Sequence, residues 1–342
     1  MRRLRVLVLL HAESVPPETT EGMTDEALFP FRMEHEVLQA LETLGHEVKV
    51  LPLEDELAPI RQTILEWKPQ IAFNLLMSFH NIGIYDAHVV SYLELLKTPY
   101  TGSNPHGILL SSNKSLSKKI LTYHRIRVPD FAVFPKNRRA TRPQNLEFPL
   151  IVKSDAEHAS EGISQASVVH DDETLRERVE FVWRHVHTNA IAERYIEGRE
   201  LTISVLGNQR LTTLPIWEMT LQNLPRGNKF IVTAKIKSDV PYQKKLGLKI
   251  GPANGLDEAK QAEIHKIAKQ VYRALNLSGF ARIDLRLAPD GQVYVLEANP
   301  NADLCTNEDI AQSAANAGIG YPDLIQRILK LGLGYEPAWK GK

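Results

Sequence analysis

Hydrophobic positions in the first hundred residues alternate between two periods. Leu4 to Leu10 is a continuous apolar run of strand length, followed by a polar loop from Ala12 to Asp25. Val37, Leu38, Leu41 and Leu44 then recur at helical spacing, with Gly45 where a C-terminal cap belongs. Strands at Glu47 to Leu51 and Ile71 to Leu75 alternate with helices near Asp55 to Trp67 and Asp86 to Leu96, and turn residues from Tyr100 to Pro105 close the unit. Strands alternating with helices predict a parallel sheet covered on its faces.

Beyond Ser112 the pattern changes. A lysine-rich helix (Asn113 to His124) precedes short strands, of which Phe148 to Lys153 is the most apolar, and a helix runs from about Asp171 to His187. Strands at Ala190 to Glu193 and Leu201 to Val205 flank the turn Glu197-Gly198, and the segment reads as a smaller α+β unit ending near Gly207. Further strands are predicted at Leu211 to Trp217 and Phe230 to Ile236. A polar stretch to Gly255, an amphipathic helix from Asp257 to Leu275, a hairpin and two helices complete the chain. The units are 1–105, 106–207 and 208–342.

At 342 residues the chain has room for two or three domains. Its 41 lysines and arginines balance 41 aspartates and glutamates, so no basic field exists to hold nucleic acid or an anionic membrane. The single cysteine, Cys305, forms no intrachain disulfide and fits a reducing, cytoplasmic compartment. The two arginines before the first apolar run superficially suggest a leader, but His11, Glu13 and Pro16 interrupt it. No apolar stretch approaches the roughly 20 residues that span a bilayer.

The most informative stretch is ARIDLRLAPDGQVYVLEANPN, residues 281 to 301, where two apolar runs flank Asp290-Gly291. A two-residue turn there sets Asp284 opposite Glu297 and Arg282 opposite Asn299 on one face. Ile283, Leu285, Leu287, Tyr294 and Leu296 then form the core face. Pro289 leaves a longer turn open. Two opposed carboxylates repel unless a cation lies between them. With Asn299 they form a hard oxygen set suited to magnesium that also takes phosphate oxygens. A salt-bridge ladder through Arg282 and Arg286 is the equal alternative.

Lys153 leaves an apolar strand beside a small-residue loop holding Ser160 and Gly162, a setting in which an ammonium and backbone N–H groups cradle phosphate. A solvated strand end reads the same way. In AIAERYIEGRE, Glu193, Tyr195, Ile196 and Glu200 offer carboxylates around an apolar extended segment, as an adenine slot and a ribose site require, and a strand-turn-strand with exposed glutamates reads the same way.

Taken together, LELLKTPYTGS (93 to 103), Lys114 and Lys153, ERYIEGRE, GFARIDLRL with VYVLEANPN, and AGIGYPDLIQRIL (317 to 329) resemble the ATP-grasp superfamily, and within it the D-alanine:D-alanine ligases. The resemblance spans nearly the whole chain. It implies the ATP-grasp fold, α/β and α+β: an N-terminal parallel α/β domain, a small central α+β domain and a C-terminal α+β domain, with nucleotide between the last two. It assigns Lys114, Lys153, Glu193, Tyr195, Ile196 and Glu200 to ATP, beside Ser160 and Gly162 of the loop after Lys153. Asp284, Glu297 and Asn299 match the ligands of Mg2+, usually two ions. Arg282 matches an arginine beside the reacting carboxyl, and Lys235 a lysine on a mobile loop over the γ-phosphate. A homodimer is also implied.

The chain departs from those ligases in two places. HAESVPPETTEGMTDEALFPFRMEHEV replaces their serine- and glutamate-rich signature after the first strand, and PNADLCTNED, with Glu308, replaces their Ser-Pro-Gly-Met-Thr stretch and carboxylate-gripping serine. The implied activity is ADP-forming ligation of a small-molecule carboxylate to an amine through an acylphosphate, with Leu221 to Gly255 as a closing lid. Arg32, Glu34, His80, Asn81, Asn307 and Glu308 are the substrate-side candidates. D-alanine ligation proper is one alternative, and a nucleotide-binding protein without ligase activity another.

Overall fold

The computed structural model describes residues 3–156, 162–225, 227–233, 235–236 and 239–341. The first strands, β1 (Arg5–His11), β2 (Glu47–Leu53) and β3 (Ile71–Asn74), form a parallel sheet in the order β2-β1-β3. Central β1 is buried on both faces, which is why its sequence is apolar without alternation. Val6, Val8 and Leu10 pack against Val37, Ala40 and Leu41 of helix Arg32–Thr43 and against Leu324, Ile325 and Ile328 of the last long helix, Tyr321–Gly334. Leu7 and Leu9 face Ile60, Val89 and Leu93. The chain's two ends thus share one core.

The central sheet is antiparallel, with β4 (Phe131–Phe134), β5 (Leu150–Ser154), β6 (Val168–Val169) and β7 (Ala190–Arg194) in the order β4-β7-β5-β6. A third sheet contains β8 (Arg199–Leu206), β9 (Thr212–Thr213), β10 (Trp217–Leu221), β11 (Leu248–Pro252), β12 (Phe280–Leu287) and β13 (Val293–Pro300). Its order is β11-β10-β8-β12-β13, with β9 on β8. The strand that the sequence reading grouped with the central unit, β8, therefore pairs with β12 in the C-terminal sheet. Helix Glu258–Ala274 covers this sheet with Ile264, Ala268 and Val271.

The strand expected at 211–217 is two short ones, Thr212–Thr213 and Trp217–Leu221, and three further local expectations change. Residues 230–233 form no strand: Ile231 packs on Ile151 and Tyr195, and the Phe230 carbonyl accepts from the Tyr195 hydroxyl at 2.9 Å, so side chains take the place of a ladder. Helix Pro105–Ser112 begins where the sequence suggested only turns, with Asn104 as its cap.

The hairpin turn is the third. Ala288 N–H donates to Gln292 O, and Gly291, at φ 80°, closes a three-residue loop that includes Pro289. A bulge then inserts Leu296 between Val295, opposite Leu285, and Glu297, opposite Asp284. The longer turn and the bulge compensate, so Asp284 pairs with Glu297 and Arg282 with Asn299. The core face changes as a result: Val293, Val295 and Ala298 pack with Ile283, Leu285 and Leu287, in place of Tyr294 and Leu296.

Candidate active site

The site is assembled where helix Lys114–Tyr123, β5, β7 and the β12–β13 hairpin meet. Asn113 caps the helix, accepting from Leu116 N–H at 2.8 Å. Asp155, just beyond β5, pins the same turn: its carboxylate accepts from Ser115 N–H at 2.8 Å and Ser115 Oγ at 3.0 Å, while its carbonyl accepts from Lys114 N–H. Because Asp155 lies two residues after Lys153, these bonds bring Lys114 and Lys153 to one place.

Lys114 and Lys118 share one helix face, a turn apart. Lys114 Nζ lies 3.7 Å from Glu297, and Lys118 Nζ lies 3.4 Å from Glu193. Lys153 Nζ reaches the same Glu193 oxygen at 3.3 Å. Burial alone raises the Glu193 carboxyl, but the two ammoniums outweigh it and hold the group below the ordinary value. Its other oxygen, Oε1, is buried with no hydrogen-bond partner among the described residues. An orphan acceptor of this kind fits an exocyclic amino donor such as that of adenine.

On β12, Arg282 grips Asp284 through two bonds of 2.7 and 3.0 Å. Desolvation favours the neutral guanidine, yet Asp284 and the neighbouring carboxylates overcome it and raise the arginine's pKa. Asn299 donates its amide N–H to Asp284 at 2.9 Å, which leaves its carbonyl oxygen as an acceptor. Among the described residues no group of three His, Cys, Asp or Glu side chains could hold a metal. Two carboxylates and an amide oxygen remain, a donor set that suits Mg2+ completing its shell with phosphate and water. Of the expected ion-pair ladder only half is present: Arg282 neutralises Asp284, whereas Arg286 turns to Glu200 on β8 at 2.6 Å.

Tyr195 and Ile196 are buried, and Tyr195 N–H is already bonded to Pro149 O. Gly162 sits at φ 68°, its carbonyl bonded by Arg178. Ser160 lies outside the described residues. Lys235 is exposed and paired with Asp239 at 3.9 Å. His80 and Asn81 occupy the tip of a tight turn, both at positive φ, where Phe79 and Ile82 exchange backbone bonds.

Glu34 is buried at the start of helix Arg32–Thr43, and burial, with help from Asp303, pushes its carboxyl up to about 7. Arg32 is half-buried on the same turn. Nearby Glu36 accepts from Thr306 N–H at 2.6 Å and Thr306 Oγ at 2.9 Å. Asn307 is exposed, and Glu308 stands at the N-cap position of helix Asp309–Asn316, close to Cys305.

Sequence reasoning missed Lys118, Asp155 and Glu36. The i, i+4 repeat in KSLSK was the available signal for Lys118; nothing local distinguishes the other two. A cleft of about 840 Å³, lined by residues such as Arg125, Arg127 and Lys266, includes none of the groups above.

Residues 119–330 match the family model for the D-ala D-ala ligase C-terminus. The D-alanine--D-alanine ligase of Syntrophotalea carbinolica is 32% identical over 90% of this chain and 92% of its own length. An uncharacterized protein, y4sG, of Sinorhizobium fredii is 30% identical over 87% of this chain and 86% of its own. A Bacillus anthracis D-alanine--D-alanine ligase complexed with ATP shares the fold, with TM-score 0.73, 24% identity, and 97% and 98% of the two chains covered. The fold, the opposed carboxylates and these matches lead to one conclusion: the chain belongs to the D-alanine:D-alanine ligase family of ADP-forming ATP-grasp ligases.

Proposed function

We propose that the protein joins D-alanine to D-alanine, forming ADP and phosphate through an acylphosphate. The carrying observation is the pairing of Asp284 with Glu297, bracketed by Arg282, Asn299 and Lys114. The D-alanine ligases among its relatives support this substrate over an open choice of carboxylate and amine.

A carboxylate reacts poorly with an amine because its leaving group is oxide. Phosphorylation by ATP turns that oxygen into phosphate, a competent leaving group. Asp284, Glu297 and Asn299 would hold Mg2+, which neutralises charge on the phosphates. Lys114 and Lys153 carry the rest of that charge from the helix start and the end of β5. Glu193 accepts from the adenine edge and Glu200 from ribose. Arg282 donates to the oxyanion that develops when the amine attacks the acyl carbon. The segment from Leu221 to Gly255, whose Lys229 backbone bonds Gln165 just before β6, excludes water from the reactive intermediate.

A second reading, an amine acceptor lacking a free carboxylate, is favoured by Glu36, Asp303 and Glu308 in the segments where a relative would grip that carboxylate. Coupled measurement of ADP release over D- and L-amino acids and simple amines, with product mass, tests both. D-alanyl-D-alanine as the dominant product supports the proposal. ADP release only with an amine co-substrate selects the second reading, and no release with any panel member refutes ligation.

A further inference from the structure

Lys118 is among the largest fully buried side chains in the protein, yet phosphate-side charge already comes from Lys114 and Lys153. Its ammonium has two described partners: the Glu193 carboxylate at 3.4 Å and the carbonyl of Leu296 at 2.8 Å. Leu296 is the extra residue of the β13 bulge. Without that bulge, Asp284 would face Leu296, and Glu297 would turn into the apolar layer formed by Ile283 and Val295. A bulged residue leaves the ladder locally disrupted, and here the displaced carbonyl is satisfied by a side chain from another element.

We infer that Lys118 is a positioning residue: one ammonium fixes the nucleotide-side carboxylate Glu193 and, through the bulge carbonyl, the register that puts Glu297 opposite Asp284. This rests on the ligase reading. Lys118 links the two walls between which nucleotide and Mg2+ would lie. An ammonium suits both tasks, since it donates several bonds from one point and carries the charge that keeps Glu193 ionised. Neighbouring Lys119 is exposed and provides the matched control.

The test is Mn2+ affinity, read by electron paramagnetic resonance in the presence of a non-hydrolysable ATP analogue, beside calorimetric binding of the analogue. Groups that orient metal ligands typically contribute about 10- to 100-fold to metal affinity. Lys118→Met is expected to weaken Mn2+ binding by about tenfold or more and to weaken the analogue as well, while Lys119→Met changes neither. Lys118→Gln keeps a donor for Leu296 O but no charge. It is expected to recover much of the Mn2+ affinity and little of the nucleotide affinity. Wild-type Mn2+ and nucleotide affinities in both folded Lys118 variants would overturn the inference. So would failure of both to fold, because Lys118 would then serve the fold alone. If the wild-type protein binds neither Mn2+ nor the analogue, the ligase reading itself fails.

Discussion

Glu193→Gln changes one buried charge and almost no volume. In the native protein Glu193 is 1% exposed and its carboxylate meets both Lys118, equally buried, and Lys153, which is partly solvated. The substitution therefore strands one ammonium. Breaking a buried pair in this way costs about 3–5 kcal/mol. The upper bound has a physical origin, because a stranded lysine sheds its proton. Starting from the ordinary value of 10.5, deprotonation at pH 7 costs at most about 5 kcal/mol, at about 1.4 kcal/mol per pH unit.

The sign of the pH dependence follows. In the variant, the Lys118 pKa is depressed in the folded state, so the unfolded chain binds more protons and stability rises with pH. The penalty should be about 3 kcal/mol at pH 7 and shrink to about 2 kcal/mol or less at pH 9. Urea denaturation followed by near-ultraviolet circular dichroism at both pH values measures it. Adding Lys118→Met should recover at least about 2 kcal/mol of the loss, since the two residues are directly coupled. A cost below about 1 kcal/mol at pH 7, unchanged at pH 9, would refute the argument.

Asp284→Ala takes away the partner of the Arg282 guanidinium and should lower the thermal midpoint by about 5 °C without unfolding the protein, while steady-state ADP formation falls at least about a thousandfold, as loss of a main stabiliser of phosphoryl charge requires; retained turnover would remove Asp284 from the metal set. Asp86 is buried with one carboxylate oxygen unpartnered among the described residues, and burial pushes it up to about 7 from 3.8. That raised value costs stability as pH climbs from about 4 to 7, so Asp86→Asn should gain about 2–4 kcal/mol at pH 8 and nothing near pH 4 in denaturation curves. Glu308→Ser should shift initial-rate preference toward acceptors bearing a carboxylate, and an unchanged acceptor profile would make Glu308 a bystander.

Much of this architecture was legible because burial writes period into sequence. The unbroken apolar run of β1 reflects burial on both faces, and the alternation in β12 reflects one core face and one polar face. The pairing of Asp284 with Glu297 was also readable, although the reasoning behind it assumed a two-residue turn. A three-residue turn and the Leu296 bulge cancel each other, and neither leaves a clear local mark. For the same reason Tyr294 was assigned to the wrong face. Phe230 to Ile236 has strand composition, but Ile231 buries against Tyr195 and Ile151, a tertiary choice that propensity does not encode. Lys118 was passed over because a lysine among lysines looks solvated; only the distant Glu193 and Leu296 show otherwise.

Oxygen transfer tests the central claim most directly. With D-alanine labelled with 18O in its carboxyl group, mass spectrometry of the released phosphate should find one labelled oxygen per dipeptide formed, because the bridging oxygen of the acylphosphate departs with phosphorus. Unlabelled phosphate, or label in AMP, would contradict the account.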